Sequence, residues 1–562
     1  VTALRITTFQ GLRPRTNPRL IGDTNAQDAT NCDIQAGSLR PVNRVQQVYN
    51  PVKTPPLIAI YKVIEGANTA WMTWPFDVDA VRMPMPAGVP ARFAWTGDGE
   101  PRWGKFTDIT AGAGNDYPHQ FYALGIPSPV KTPLVSASGG ASPTIATRFY
   151  VSTFFSQDGE ESGPSPVSAV ISNPIDGTWT ITGMDALPVN SGSAVGYFST
   201  DTVVVSTTGA AGTITGATNA GPIAITETAH GRATGDRVNI AGVLGNAAAN
   251  NTYANPYWVI TVIDANTYSL NGSTGNGVYT SGGSVYAVSP HWLRAADEVV
   301  LSSTTMAVSS VPTDYAFHVA GDYSAATTWA RKAPWNTTGM KRRLYRTAGT
   351  AAAFQLVNDN VGTSYTDTLS DAQIMGDELI TQGWKPPPPG LRGMIVTGSG
   401  ALAGFIGTQL RLSVAGQGHT WPDSNSYQTS PEIVAIAPMG SAIGVGTVGV
   451  QHVALGSDPA NMALIPANVP YPCLSKRSMT SDGSAAFYAS NAGLVRIDQS
   501  AQPSIFSQPW FDPKTWALKN PSTMACAVAP SKLYVMYSAS GRKSIMVWDM
   551  VLNELTENAV DA

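Results

Sequence analysis

The sequence predicts an all-β chain, a β-propeller-like unit interrupted by inserted β domains, and three observations carry that prediction. Charged residues are 13% of the 562, about half the usual quarter, which leaves few Glu and Lys for the outer faces of helices. Gly 54 and Pro 41 punctuate the chain with turns. Short apolar strand pairs recur at intervals of roughly 40–50 residues, the period of four-stranded propeller blades.

The opening segment, residues 1–50, reads as a docking arm. It holds six arginines and three aspartates, so it is locally basic. Prolines extend Gly11-Leu-Arg-Pro-Arg-Thr-Asn-Pro-Arg19, and Asp23 to Asn31 reads as two helical turns capped by Asp23. Ala36-Gly37 reads as a hairpin turn between Cys32-Asp-Ile-Gln35 and Ser38-Leu-Arg-Pro41. A solvated arm and a strap docked on a partner are equally open readings of these residues. The candidate interface residues are Arg13, Arg15, Arg19, Arg40 and Arg44.

Residues 51–140 read as the first part of the propeller-like unit. Leu57-Ile-Ala-Ile-Tyr-Lys-Val63 pairs with Thr69-Ala-Trp-Met-Thr-Trp74, and Arg92-Phe-Ala-Trp95 precedes the turn Gly97-Asp-Gly99. The same pattern resumes after Pro386-Pro-Pro-Pro389, so residues 391–562 form the second part, with pairs such as Ala485–Ala489 and Gly493–Ile497. The apolar stretch Ile433 to Gly456 contains Pro438 and alternates with glycine, which predicts strands rather than a membrane helix, so no membrane insertion is expected. Val1 to Arg15 shows no charged-then-apolar signal segment, so export by the Sec route is not expected.

Between the two parts lies an inserted block. Thr147 to Phe155 with the turn Asp158-Gly-Glu-Glu-Ser-Gly-Pro-Ser-Pro166, and later Arg342-Arg-Leu-Tyr-Arg346 with Ser364-Tyr-Thr-Asp367, resemble the two ends of a fibronectin type III domain. The resemblance implies an immunoglobulin/fibronectin-like β-sandwich whose halves, 141–200 and 336–390, are split by small β domains at 201–335. The second half ends in the Pro-rich linker. Within the split, Ile223 to Gly231, Asp236 to Ile240 and Tyr257 to Val262 resemble a small β domain of phage tail proteins that is also similar to a module of ubiquitin-activating enzymes. No adenylating activity is implied.

Chemistry is sparse. Gly-x-Ser-x-Gly, HExxH and the phosphate loop are all absent, and the six histidines are never at ligand spacing. No catalytic residue, metal or cofactor is therefore expected. Cys32, Cys473 and Cys526 are too few and too far apart for a disulfide framework, and buried reduced thiols are expected. Asp-Gly at 98–99, 158–159 and 482–483 reads as tight-turn chemistry. Glu160-Glu161 reads as a solvated turn, and Trp71, Trp74, Trp95 and Trp103 as packing residues rather than a sugar platform. The net charge of −4 argues against a dedicated nucleic-acid binder.

The arm also carries a family likeness. Phe9-Gln-Gly-Leu-Arg-Pro-Arg-x-x-Pro-Arg-Leu20, then Ala26-Gln-Asp-Ala-Thr-Asn-Cys-Asp33 and Gly37-Ser-Leu-Arg-Pro41, resemble the opening of the tail nozzle proteins, or tail tubular B proteins, of short-tailed phages. The resemblance implies a structural virion protein, a homo-oligomeric ring of six copies forming the distal tail tube. Its implied partners are the tail adaptor and the tail fibre or spike proteins, with DNA passing transiently through the channel. Two other readings stay open: a receptor-binding or baseplate/fibre component of the tail, and a propeller glycosidase acting on host surface polysaccharide. The dense basic cluster Lys341-Arg342-Arg343 with Arg346 is expected away from the channel.

Overall fold

The computed structural model describes residues 8–33, 40–41, 48–51, 56–86, 88–114, 116–349, 353–374 and 376–560. It is nearly all β, 43% strand and 5% helix, in many sheets that include one closed six-stranded barrel. Two compact units share the chain: residues 1–98, 103–120 and 391–562 form one, and residues 99–102 and 121–390 the other.

In the first unit, short antiparallel sheets follow one another in chain order. Ala59–Glu65 pairs with Asn68–Trp74, and Asp79–Arg82 pairs with Arg92–Thr96. Four four-stranded meanders follow: from Arg392–Val396 to Ser426–Gln428, from Ile433–Met439 to Ala463–Pro466, from Thr480–Ser481 to Ser504–Ile505, and from Ala525–Ala529 to Glu554–Val560. The stretch Ile433 to Gly456 is thus strands, as its alternation predicts.

Strand Ala485–Ala489 explains how these sheets stack. All five of its residues are buried, and successive side chains of a strand point to opposite faces. Phe487 and Ala489 join the core shared with the last sheet, among Leu533, Val535, Met546 and Trp548, while Ala486 and Tyr488 join the core of the preceding sheet, with Ala437, Met439 and Val453. A strand packed on both faces needs a continuous apolar run, and each fully buried large apolar side chain contributes about 1.5–3 kcal/mol. Trp74, Trp95 and Trp103 are buried, while Trp71 is half-buried under Tyr49 at 5.2 Å.

The predicted glycine turns hold: Gly99, Gly159 and Gly483 have φ of +76°, +82° and +90°. The predicted helix at 23–31 does not form. Ala26 instead exchanges backbone hydrogen bonds with Gly11 and Arg13, and Thr30 bridges Glu557, in a segment whose Asn, Asp and Thr residues are weak helix formers.

In the second unit, two three-stranded sheets share one core. Tyr150–Phe155 pairs with Lys341–Thr347 and then Phe354–Asn358; Leu134–Ser138 and Tyr365–Asp367 flank Thr178–Thr182. Tyr150, Trp179, Ile181, Leu344 and Val357 fill the space between. The stretch Thr147 to Phe155 is divided at Phe149, because Ile145–Arg148 pairs with Ile171–Pro174 while Tyr150–Phe155 pairs with Lys341–Thr347. Glu161 corrects another expectation. It is half-buried, accepts from Thr153, Arg343 and Tyr345, and is no solvated turn residue, because the register Thr153↔Arg343 brings its partners together.

The closed barrel spans residues 191–331, between Thr178–Thr182 and Lys341–Thr347 in sequence. Ser191–Phe198 pairs with Thr202–Thr213, then Ala316–Val319, Thr304–Thr313, Glu298–Leu301 and Thr328–Arg331, which returns to the first strand. Its interior holds Val204, Val299, Leu301, Val308, Phe317 and Trp329. Beyond a bulge between Thr208 and Gly212, the long strand continues to pair with Ser284–Val288, and a second small core forms around Ile225, Val238, Ile240, Tyr268 and Leu270.

Candidate assembly interface

The arm is held by the chain's own last sheet. Leu12 is buried among Trp510, Trp548 and Leu555, and its N–H donates to the Leu555 carbonyl at 3.2 Å. Gly11 has φ +83°, and a Cβ there would lie 3.1 Å from Glu554 Cβ, so close approach and backbone conformation both favour glycine. Farther along, the Asn31 N–H donates to the Glu557 carbonyl at 3.2 Å and the Ala559 N–H donates to Asn31 Oδ1 at 3.0 Å. Lys519 fixes the same strand by donating to Glu557 Oε1 at 2.7 Å and to the Tyr537 hydroxyl at 2.9 Å.

The arginines named from the sequence divide into two groups. Arg13 stacks on Trp510 at 5.7 Å, and Arg15, though exposed, donates to the Gln508 carbonyl at 2.6 Å. These two serve the arm's attachment to its own chain. Arg19 lies in an exposed turn beside Leu20, which is 78% exposed, and its N–H donates to Asn17 Oδ1. Arg40 is exposed on Arg40–Pro41, which pairs with Cys32–Asp33, while the predicted turn Ala36-Gly37 lies outside the described residues. Arg44 lies outside the described residues. The sequence offered no signal for the receiving residues Gln508, Trp510, Leu555 and Glu557, which are distant along the chain.

The predicted basic cluster is neutralised within the second unit. Arg343 pairs with Glu161 at 3.1 Å and with Asp359 at 2.7 Å, Lys341 with Asp359 at 3.0 Å, and the fully buried Arg346 with Asp367 at 2.8 Å. Arg342 is buried and donates to the carbonyls of Val361 and Asp185. No group of three His, Cys, Asp or Glu residues that could hold a metal occurs among the described residues. The three cysteines are free, and burial pushes the Cys473 thiol up to about 12. No described helix is long and apolar enough to cross a membrane.

No protein-family model matches the chain, and no curated protein matches it. Among solved structures, apo AztD from Citrobacter koseri is 12% identical with a TM-score of 0.23, covering 75% of this chain and 96% of its own. A Bacteroides fragilis protein classed as exported is 10% identical with a TM-score of 0.21, covering 38% of this chain and 69% of its own. Likenesses this slight carry no argument about fold or function.

Proposed function

We propose that the chain is a structural component of a phage tail, the nozzle that forms the distal tail tube as a six-membered ring. The observation that carries this reading is the arm: a proline-stiffened strap whose foot is pinned at Leu12 and Asn31 while its turn presents Arg19 and Leu20 outward. A preformed loop loses little freedom on docking, and the planar guanidinium of arginine suits carboxylates on an adjoining copy or on the tail adaptor.

In the same reading, the successive sheets of the first unit are blades of a propeller. Its support is that the openings of these sheets meet: the Gly393 N–H of Arg392–Val396 donates to Asp79 of Asp79–Arg82 at 3.1 Å, and Lys476, in the turn before Thr480–Ser481, pairs with Asp77, just before Asp79–Arg82, at 2.7 Å. The two-sheet body with the Tyr150–Arg346 pair is the immunoglobulin-like insertion. Neutralisation of the basic cluster suits a conduit through which DNA passes without being held.

Immunogold labelling of virions with antibody against this chain tests the proposal. Label at the distal end of a short tail is the expected result; label on the capsid or on the fibres alone would overturn it.

A further inference from the structure

In the second unit, an open cavity of about 610 Å³ lies between the barrel and the loop that leads into Trp258–Val262. Its volume falls within the roughly 300–1,000 Å³ range of small-ligand sites. Tyr253, Tyr257 and Trp258, all half-buried, bring aromatic rings to it, and Val203 and Ala316 of the barrel wall line it. Asn255, Asn271 and His318 supply polar groups.

Tyr253, His318, Trp258 and Asn271 are held in place by residues outside the cavity lining. Asp201 accepts from the Tyr253 hydroxyl at 2.5 Å and from His318 Nδ1 at 2.7 Å, which fixes both rings; their planes meet edge to face at 5.8 Å. With Nδ1 committed, His318 Nε2 has no protein partner among the described residues. The Asn255 carboxamide likewise has none, and Asn271 uses only its oxygen, accepting from Thr261 at 3.0 Å. The Trp258 indole N–H is committed to the Ala249 carbonyl at 2.9 Å, and this half-buried side chain also packs against the small core around Ile225 and Val238, so it offers the cavity apolar surface and no donor.

The lining excludes most charged ligands. No Lys, Arg, Asp or Glu belongs to it, and the nearest charges, Asp201 on Tyr253 and His318 and Arg237 against Tyr257, are engaged with lining side chains rather than presented to a phosphate, a carboxylate or an amine. Aromatic surface combined with amide and imidazole groups suits a ring that is apolar on its C–H face and hydroxylated at its rim. We propose that this cavity, built from Tyr253, Tyr257, Trp258, Asn255, Asn271 and His318, is a binding site for a neutral saccharide. The proposal is independent of the nozzle reading.

The test uses the full chain and saturation-transfer NMR with glucose, galactose, mannose and N-acetylglucosamine, each at about 10 mM to reach millimolar affinities. Transfer to at least one sugar is expected, reduced about ten-fold by Tyr257→Ala and by the conservative His318→Gln. Thermal melts matching the parent show that each variant is folded; should Tyr257→Ala fail to fold, Asn255→Ala takes its place. Comparing the responding sugar with its methyl glycoside and with an oligosaccharide separates a glycan chain from a free sugar. A site that tolerates the methyl group takes a residue of a chain, and one that rejects it takes the free reducing sugar. No transfer from any sugar, transfer unchanged in folded variants, or transfer confined to a nucleoside monophosphate control would overturn the proposal.

Discussion

Arg331 donates to Asp297 at 2.8 Å, and neither side chain is exposed to solvent. The same guanidinium reaches Glu100 at 3.1 Å and stacks on Trp335 at 4.2 Å, so one buried cation organises two carboxyl groups and an indole within the second unit. Removing one member of such a group leaves the others without compensation. Arg331→Ala is expected to destabilise the second unit by about 3–5 kcal/mol. Urea titration followed by near-UV circular dichroism measures this, and a loss below about 1 kcal/mol would show that the network is dispensable.

The same site gives a pH dependence of defined sign. Burial beside Asp297 raises the Glu100 carboxyl from 4.5 to about 8, so the folded chain binds a proton that the unfolded chain has released. Its contribution to stability is complete below about pH 4.5 and declines as pH rises towards 8. His291 acts oppositely: burial lowers it from 6.5 to about 4, so its contribution grows as pH rises across that interval and is complete above it. Between about pH 6.5 and 8 the Glu100 slope therefore stands clear of the His291 one. Unfolding free energies in this window should fall with pH in the parent and fall less in Glu100→Gln.

The arm separates stability from assembly. Leu12 is 2% exposed in the core of the last sheet, and Leu12→Ala should cost about 2–5 kcal/mol. Arg19→Glu alters an exposed turn and should leave the melting temperature unchanged while weakening association. Melting curves and sedimentation velocity on both variants check this, and equal association by the parent and Arg19→Glu would remove the turn from the interface.

Duplex DNA should bind poorly. Each cation of the 341–346 cluster is already paired or committed to backbone carbonyls, so few counterions would be released on contact with phosphate. Gel-shift titration at about 0.15 M salt should show no complex at micromolar protein, whereas tight binding that falls steeply with salt would contradict passive passage of DNA.

Strand identity was legible where burial imposes a local pattern. Ala485–Ala489 and Leu494–Asp498 stand close to where their apolar runs predict, because the first is buried on both faces and the second buries Leu494, Val495 and Ile497 while Arg496 and Asp498 stay half-buried. The helix read at 23–31 was not legible as extended chain, since its partners Gly11 and Glu557 are supplied by other parts of the fold. The closed barrel also escaped the sequence. Its ring depends on Ser191–Phe198 meeting Thr328–Arg331, a register that periodicity along either strand does not encode. The saccharide cavity escaped for the same reason, because Asp201, Tyr253 and His318 form no local motif and meet only when barrel and loop are built. Of the five interface arginines, the sequence identified the arm but not that Arg13 and Arg15 attach it to its own chain.

Mass photometry of the purified full chain tests the central claim most directly. The account predicts a discrete particle of six times the 59.0 kDa chain mass, which Arg19→Glu shifts towards the single chain. A parent protein that remains at 59.0 kDa across the accessible concentration range, and shows no ring in negative stain, would contradict it.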